Sequence, residues 1–164
     1  MQVNKYLVFK WHPPDGGRLK INVDAHVVPG NSWFSCGLVL RDQEGEFIAA
    51  RLHKFAGVVP VVETEATTIL KGIRWVSLFG MRHMDVESDS LISVQAINKD
   101  LENYLEVGVV FQEYRTILRA RRDIMLSFVK KQANKVAYLV ARVPCDVNCL
   151  LIFRLLHIQC WSIL

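Results

Sequence analysis

Leu19-Lys20-Ile21-Asn22-Val23-Asp24 is the stretch of sequence that indicates the fold most clearly. Its apolar and polar side chains alternate with a period of two, which predicts a β-strand with one face buried and the other face presented. Asp24 lies on the polar face, at the end of the predicted strand. The first candidate functional residue is therefore a carboxylate held by a strand.

Two more strands are predicted directly after the first one, at residues 35–41 and 46–53, with turn residues at 42–45 between them. Three strands with short connections favour an antiparallel meander. On the other side of the first strand, residues 11–17 contain two prolines and two glycines. This composition is incompatible with a regular helix or a central strand, so residues 1–17 are expected to form an irregular lead-in.

Helices and strands are mixed after the meander. Apolar residues recur three and four positions apart over residues 62–78, which predicts an amphipathic helix with Glu65 in its first turn. A short strand is predicted at residues 82–87, and Ser88-Asp89-Ser90 supplies N-cap residues for the helix that follows. Asp89 is thus expected at a strand-to-helix junction.

Three further elements complete the predicted domain, a helix at residues 109–119, a strand at 124–129 and a helix at 132–142. The element order is βββ-α-β-α-α-β-α, which indicates an α/β protein. A chain of 164 residues fits one domain with one core, and we expect that domain at residues 18–143.

The composition is that of a globular protein, with 51% hydrophobic and 22% charged residues, which argues against a disordered chain. Lys and Arg outnumber Asp and Glu by 20 to 16, and this excess mildly favours a polyanionic partner. The four cysteines are too few and too unevenly placed for a disulfide scaffold, and no secretory signal is apparent at the start. An intracellular location, nuclear or cytoplasmic, is therefore expected.

Residues 144–164 form an apolar tail whose role stays open at this point. Arg154 and His157 interrupt it, and it falls short of about 20 apolar residues, so no membrane span is predicted. The tail also contains side chains of the metal-ligating type, at a spacing that matches no zinc finger or knuckle. We therefore disfavour zinc binding by these residues, which are Cys145, Cys149, His157 and Cys160.

Asp24, Glu65 and Asp89 are predicted on the first strand, at the start of the first helix and at the end of the fourth strand. Hard divalent cations prefer oxygen ligands and bind through a few carboxylates together with substrate phosphate. If the three acids converge, they suit phosphodiester chemistry. For any one of them taken alone, a solvated carboxylate at a strand end or helix start is the simpler interpretation.

Five ordered blocks of sequence carry a resemblance to a known family. They are Trp11 with Pro13-Pro14, residues 19–24 with Gly37, Arg41-Asp42 and Gly45, residues 62–66 with Gly72, residues 86–90, and residues 133–137 with Ala141. In this order they resemble plant ribonuclease-H-like, reverse-transcriptase-type domains from retroelements. The resemblance implies the ribonuclease H-like fold, with a mixed five-stranded sheet of three antiparallel strands and then two parallel ones, flanked by helices.

By this resemblance, Asp24, Glu65 and Asp89 match the family's catalytic, metal-binding acids. They imply Mg²⁺, with Mn²⁺ as the alternative, and hydrolysis of the RNA strand of an RNA/DNA hybrid by metal-activated water. Glu63 lies two residues before Glu65, and residues two apart on a helix point in different directions. Glu65, not Glu63, is the residue that matches the family pattern. The expected partner is nucleic acid rather than a membrane, and the expected state is a monomer.

Three positions depart from the family pattern. Tyr138 stands at the family's fourth acidic position, Phe128 where a histidine is common, and Ala25 where glycine is usual. Tyrosine is a poor Mg²⁺ ligand and phenylalanine cannot shuttle protons. We expect weakened turnover, and the alternative is a non-catalytic nucleic-acid-binding module. A third hypothesis is an interaction domain that docks on a partner through the tail.

A basic face is the predicted contact with phosphates, although a solvated helix exterior explains the same charges equally well. The candidate nucleic-acid-binding residues are Arg119, Arg121, Arg122, Lys130, Lys131 and Asn134, with Arg115 and Lys135 as further basic residues in this region. Trp33 and Phe34 could stack on bases, but packing is favoured for both. His26 and His53 are expected to be surface or strand histidines.

Overall fold

A computed structural model describes residues 10–98, 108–144 and 149–152. In chain order, the strands and helices are β1 (Leu19–Val27), β2 (Trp33–Arg41), β3 (Phe47–Ala56), α1 (Val61–Leu78), β4 (Met84–Ser88), α2 (Leu91–Asn98), α3 (Gly108–Ala120), β5 (Ile124–Phe128), α4 (Lys135–Ala141) and β6 (Cys149–Ile152). Each predicted element exists, and its type is the one that its hydrophobic period indicated.

One sheet contains all of these strands, in the order β5-β4-β1-β2-β3-β6. The β1–β2 and β2–β3 pairs are antiparallel, and the β1–β4 and β4–β5 pairs are parallel. This arrangement confirms the predicted mixed sheet of three antiparallel and two parallel strands. The crossover to β4 places β1 in the interior of the sheet, between β2 and β4.

The described part of the apolar tail adds a sixth strand to the sheet. Residues Cys149–Ile152 form β6, which pairs antiparallel with β3. A strand at this position provides hydrogen-bond partners for backbone groups along the edge of β3, which would otherwise be unpaired. Cys145, His157 and Cys160 lie outside the described residues. Within the described ranges, no helix is both long enough and apolar enough to cross a membrane.

The prediction that β1 presents one face to solvent is wrong. Lys20, Asn22 and Asp24 are only 6%, 2% and 3% exposed. Trp11, from the lead-in, lies over this face, and its indole Nε1 donates a hydrogen bond to Asn22 Oδ1 at 2.8 Å. Glu87 of β4 forms an ion pair with Lys20 at 2.6 Å and accepts a hydrogen bond from the Asn22 amide at 2.9 Å. A central strand is covered on both faces, so its polar residues need partners within the protein.

The other face of β1 packs against α1, which begins after Pro60 and ends before Gly80. Gly72 makes the close approach possible, because a Cβ at this position would lie 2.8 Å from Val23 Cγ1. Ile21 and Val23 are fully buried at this interface. The packing sets the distance between α1 and the sheet, and hence the position of Glu65 near the start of the helix.

The last helix is shorter than predicted, because α4 begins at Lys135 rather than at residue 132. Asn134 is the N-cap residue, and its side-chain amide is buried in the fold, where it donates to the Val23 carbonyl at 2.8 Å. Residues 131–134 form turns before the helix. Further along α4, a Cβ on Gly37 would lie 2.4 Å from Ala137 O and from Ala141 N, so the backbone of α4 rests directly on β2.

Tyr114 of α3 is fully buried, and its hydroxyl has no hydrogen-bond partner among the described residues. A buried polar group without a partner carries a desolvation cost. Replacing it with phenylalanine (Tyr114→Phe) is therefore expected to leave the stability unchanged or to raise the free energy of unfolding by about 1 kcal/mol. Urea unfolding of the two proteins measures the difference, and a loss of more than about 1 kcal/mol would show that the hydroxyl is bonded.

Candidate active site

The three predicted acids are brought to one end of the sheet. Val23 and Ser88 form the last pair of the parallel β1–β4 ladder, so Asp24 and Asp89 directly follow its end, although β1 itself continues to Val27. Asn134 links the two strands, because its side-chain amide donates to the Val23 carbonyl at 2.8 Å and to Asp89 Oδ1 at 3.3 Å. The sheet crossover therefore joins residues that lie far apart in the sequence.

Asp24 is almost entirely buried, and burial raises the pKa of its carboxyl from 3.8 to about 6. Arg142, the residue after α4, opposes this effect with a hydrogen bond from its guanidinium NH1 to Asp24 Oδ2 at 2.8 Å. The nearby charge of Asp89 raises the pKa further. Asp24 is thus an acid whose charge has to be stabilised by a cation.

Glu65 shares this environment. Burial raises the pKa of its carboxyl from 4.5 to about 8, and the charges of Asp24 and Asp89 raise it further. Its Oε2 atom is buried and has no hydrogen-bond partner among the described residues. These effects show that the acids are close enough to interact electrostatically, and that the nearby charges of Arg142 and Lys131 only partly offset the burial and repulsion at Glu65.

The donor set fits a hard divalent cation in its chemistry. All of the candidate ligand atoms are oxygens, and the unpartnered Glu65 Oε2 and Asn134 Oδ1 are both buried near the coupled acids. As the side chains stand, however, no three His, Cys, Asp or Glu residues in the described part of the chain are grouped closely enough to hold a metal ion. Cation binding at this site would therefore require the carboxylates to move together.

Replacing Glu65 with glutamine (Glu65→Gln) is expected to stabilise the cation-free protein at alkaline pH. A carboxyl whose pKa is raised on folding stabilises the protein fully below pH 4.5, and that contribution is lost as the pH rises toward 8. The neutral amide avoids this loss, so the free energy of unfolding should rise by about 2 kcal/mol at pH 8 and change little at pH 4.5. Urea unfolding at both pH values measures the effect. Glu63→Gln is the matched control, and an equal gain in that variant would contradict the assignment.

Tyr138 lies on α4 at the position where the family resemblance implies a fourth acid. Its ring is enclosed by cations, with the Arg142 guanidinium 3.5 Å and Lys131 Nζ 4.7 Å from the ring centroid. Phe128 is the last residue of β5 and packs against the core, while Lys130 Nζ lies 5.7 Å from its ring. Neither replacement supplies a carboxylate ligand, and the phenylalanine side chain cannot transfer a proton.

The predicted nucleic-acid-binding residues separate into two groups at opposite ends of the parallel strands. Lys130, Lys131 and Asn134 follow β5 and lie at the end that holds the acids. Arg119, Arg121 and Arg122 precede β5, about 13 Å away along the strand.

Arg121 is also committed to internal contacts. Its guanidinium makes two hydrogen bonds of 2.8 Å to the Asp123 carboxylate, which hold the pKa of Asp123 well below its usual range. Arg119 and Arg122 are exposed at the same end. Their contact with nucleic acid stays a prediction, and it would require a ligand that extends well beyond the acid site.

The aromatic and histidine candidates lie on strands. Phe34 is 6% exposed and its ring stacks on Phe55, with 5.0 Å between the centroids. Trp33 is half-buried, and Lys54 Nζ lies 4.7 Å from its ring. Burial lowers the pKa of His26 and of His53. These placements agree with packing roles.

Arg142 is the site residue that sequence reasoning missed. A usable signal existed, since residues 134, 138 and 142 are spaced four apart and share one face of a helix. What the spacing could not show is that this helix face meets Asp24, because that contact depends on how α4 docks on β1 and β2.

Comparison with known proteins agrees with the fold. A family model described as reverse transcriptase-like matches residues 22–143. No curated protein sequence matches the chain. Among solved structures, ribonuclease H1 from the archaeon Halobacterium salinarum superposes with a TM-score of 0.68 at 17% identity, covering 76% of this chain and 95% of that one.

One bacterial structure and one environmental structure superpose with similar TM-scores. The N-terminal ribonuclease H domain of a Mycobacterium tuberculosis protein gives a TM-score of 0.66 at 15% identity, covering 76% of this chain and 90% of that one. LC11-RNase H1, solved in complex with an RNA/DNA hybrid, gives 0.65 at 14%, covering 74% and 92%. At such identities the likeness demonstrates the fold, and the family model covers most of the domain. This chain therefore belongs to the reverse transcriptase-like family and has the ribonuclease H fold.

Proposed function

We propose that this protein is a divalent-cation-dependent ribonuclease that cuts the RNA strand of RNA/DNA hybrids, with weakened turnover. The observation that carries the proposal is the placement of Asp24, Glu65 and Asp89 at one end of the sheet, where burial raises the pKa values of Asp24 and Glu65 and the charge of Asp89 raises both further. A group of interacting acids, of which Asp24 is buried and Glu65 and Asp89 are half-buried, is costly for a protein to maintain, and such groups concentrate at functional sites. The hybrid-bound LC11-RNase H1, which shares this fold, supports the choice of substrate.

Each residue of the site has a role in this proposal. Asp24, Glu65 and Asp89 would hold Mg²⁺ or Mn²⁺, which supplies Lewis acidity and lowers the pKa of a water molecule. Asn134 orients Asp89 through its side-chain amide, which also ties the start of α4 to the Val23 carbonyl of β1. Lys131 is exposed next to the acids and offers positive charge to a backbone phosphate.

A cleavage assay tests the proposal. A 5′-labelled RNA strand is supplied as RNA/DNA hybrid, as double-stranded RNA and as single-stranded RNA, with Mg²⁺ or Mn²⁺, and a chelator serves as the cation-free control. We expect cleavage of the hybrid alone, and only with the cation present. An intact hybrid under all of these conditions would overturn the ribonuclease proposal.

The second candidate function is a nucleic-acid-binding module without cleavage activity. Tyr138 and Phe128 favour it, and so does the ion pair that engages Asp24. This candidate predicts that the protein binds the hybrid in the same assay without cutting it, with an affinity that falls steeply as salt rises. Binding that does not respond to salt, or no binding at all, would remove it.

A further inference from the structure

The Asp24–Arg142 ion pair is a tightly held contact inside the proposed cation site. Asp24 has a side-chain exposure of 4% and Arg142 of 27%, and the guanidinium NH1 lies 2.8 Å from Asp24 Oδ2. The same nitrogen donates to the Tyr138 carbonyl at 2.9 Å, while the guanidinium packs 3.5 Å from the centre of the Tyr138 ring. These contacts pre-organise the positive charge beside Asp24.

A site with two divalent cations needs three or four acids around them. Here the α4 side of the site supplies no acid, because Tyr138 stands there and is flanked by Lys131 and Arg142. Positive charge already fills the side of Asp24 that faces this helix. A second divalent cation at this point would be repelled by the guanidinium and would have no carboxylate of its own.

We propose that Arg142 occupies the position beside Asp24 that a second divalent cation would need, so that the site binds a single cation and Arg142 competes with it for Asp24. The inference rests on the proposed function, since it assumes that the three acids bind a cation. An ion pair with Arg142 lets the buried Asp24 carry its charge without a metal ion. The competition between Arg142 and the cation would also account for the weakened turnover that we propose.

The competition is reversible because Arg142 has room to move. It lines a cavity of about 290 Å³ together with His26, Trp33 and Lys54. A guanidinium that leaves Asp24 would have this space beside it. A bound cation would therefore gain Asp24 by displacing Arg142 rather than by unfolding the helix.

Titration calorimetry of the full chain with MgCl₂ and MnCl₂ tests the inference by measuring binding rather than activity. The variant is Arg142→Gln, and Arg142→Lys keeps the charge. Arg82→Gln is the matched control, because Arg82 is exposed and lies before β4, at the end of the sheet away from the acids. The double variant Tyr138→Asp/Arg142→Gln restores an acid on α4 and removes the competitor.

We expect one bound cation in the wild type, roughly tenfold tighter binding in Arg142→Gln, and wild-type affinity in Arg142→Lys and Arg82→Gln. The double variant should bind two cations. Equal affinity in the wild type and Arg142→Gln, or two cations in the wild type, would overturn the role of Arg142 while leaving the proposed function intact. No cation binding in any folded variant would overturn both.

Discussion

Replacing Asp24 with asparagine (Asp24→Asn) is expected to lower the rate of hybrid cleavage more than about a hundredfold. Even residues that only orient the ligands of a metal typically change activity ten- to a hundredfold, and Asp24 is proposed as a direct ligand. The amide has nearly the same size but no charge, so it weakens cation binding without opening a cavity. Single-turnover cleavage with saturating enzyme measures the chemical step apart from hybrid binding.

The matched control is Glu63→Gln, which removes a carboxylate two residues from Glu65 on the same helix. Its rate should stay within about twofold of the wild type, since residues two apart on a helix face different directions. Circular dichroism confirms that both variants are folded. If Asp24→Asn cuts hybrid at the wild-type rate, Asp24 is not a ligand and the proposed active site is wrong.

Replacing Gly37 with alanine (Gly37→Ala) is expected to cost about 3 kcal/mol of stability. The added Cβ would lie 2.4 Å from Ala137 O and Ala141 N, and both are backbone atoms that cannot rotate away. Helix α4 would therefore have to move off β2. Because α4 brings Asn134 and Arg142 to the acid site, the variant should also weaken cleavage or hybrid binding.

Urea unfolding of Gly37→Ala is compared with that of Gly16→Ala, whose added Cβ would have nothing within 4 Å. The control should match the wild type within about 0.5 kcal/mol. Equal stability of the two variants would show that the contact between α4 and β2 is looser than the structure describes.

The sequence by itself determined the order of strands and helices, and it singled out the three acids of the proposed site. Periods of two and of three to four residues are local properties of the chain, and they located β1, α1 and α4 within a few residues. Asp24, Glu65 and Asp89 became candidates because each lies at a recognisable place in these local patterns and matches an acid of the family that the sequence resembles.

Only the tertiary structure decided what surrounds these acids. The burial of both faces of β1 depends on α1 and α4, which are distant from β1 in the sequence. The pairing of Arg142 with Asp24 spans 118 positions, and the placement of Arg119 and Arg122 away from the acids follows from the parallel register of β4 and β5. Strand order and helix docking are set by non-local packing, and no periodicity within a segment encodes which segment it will meet.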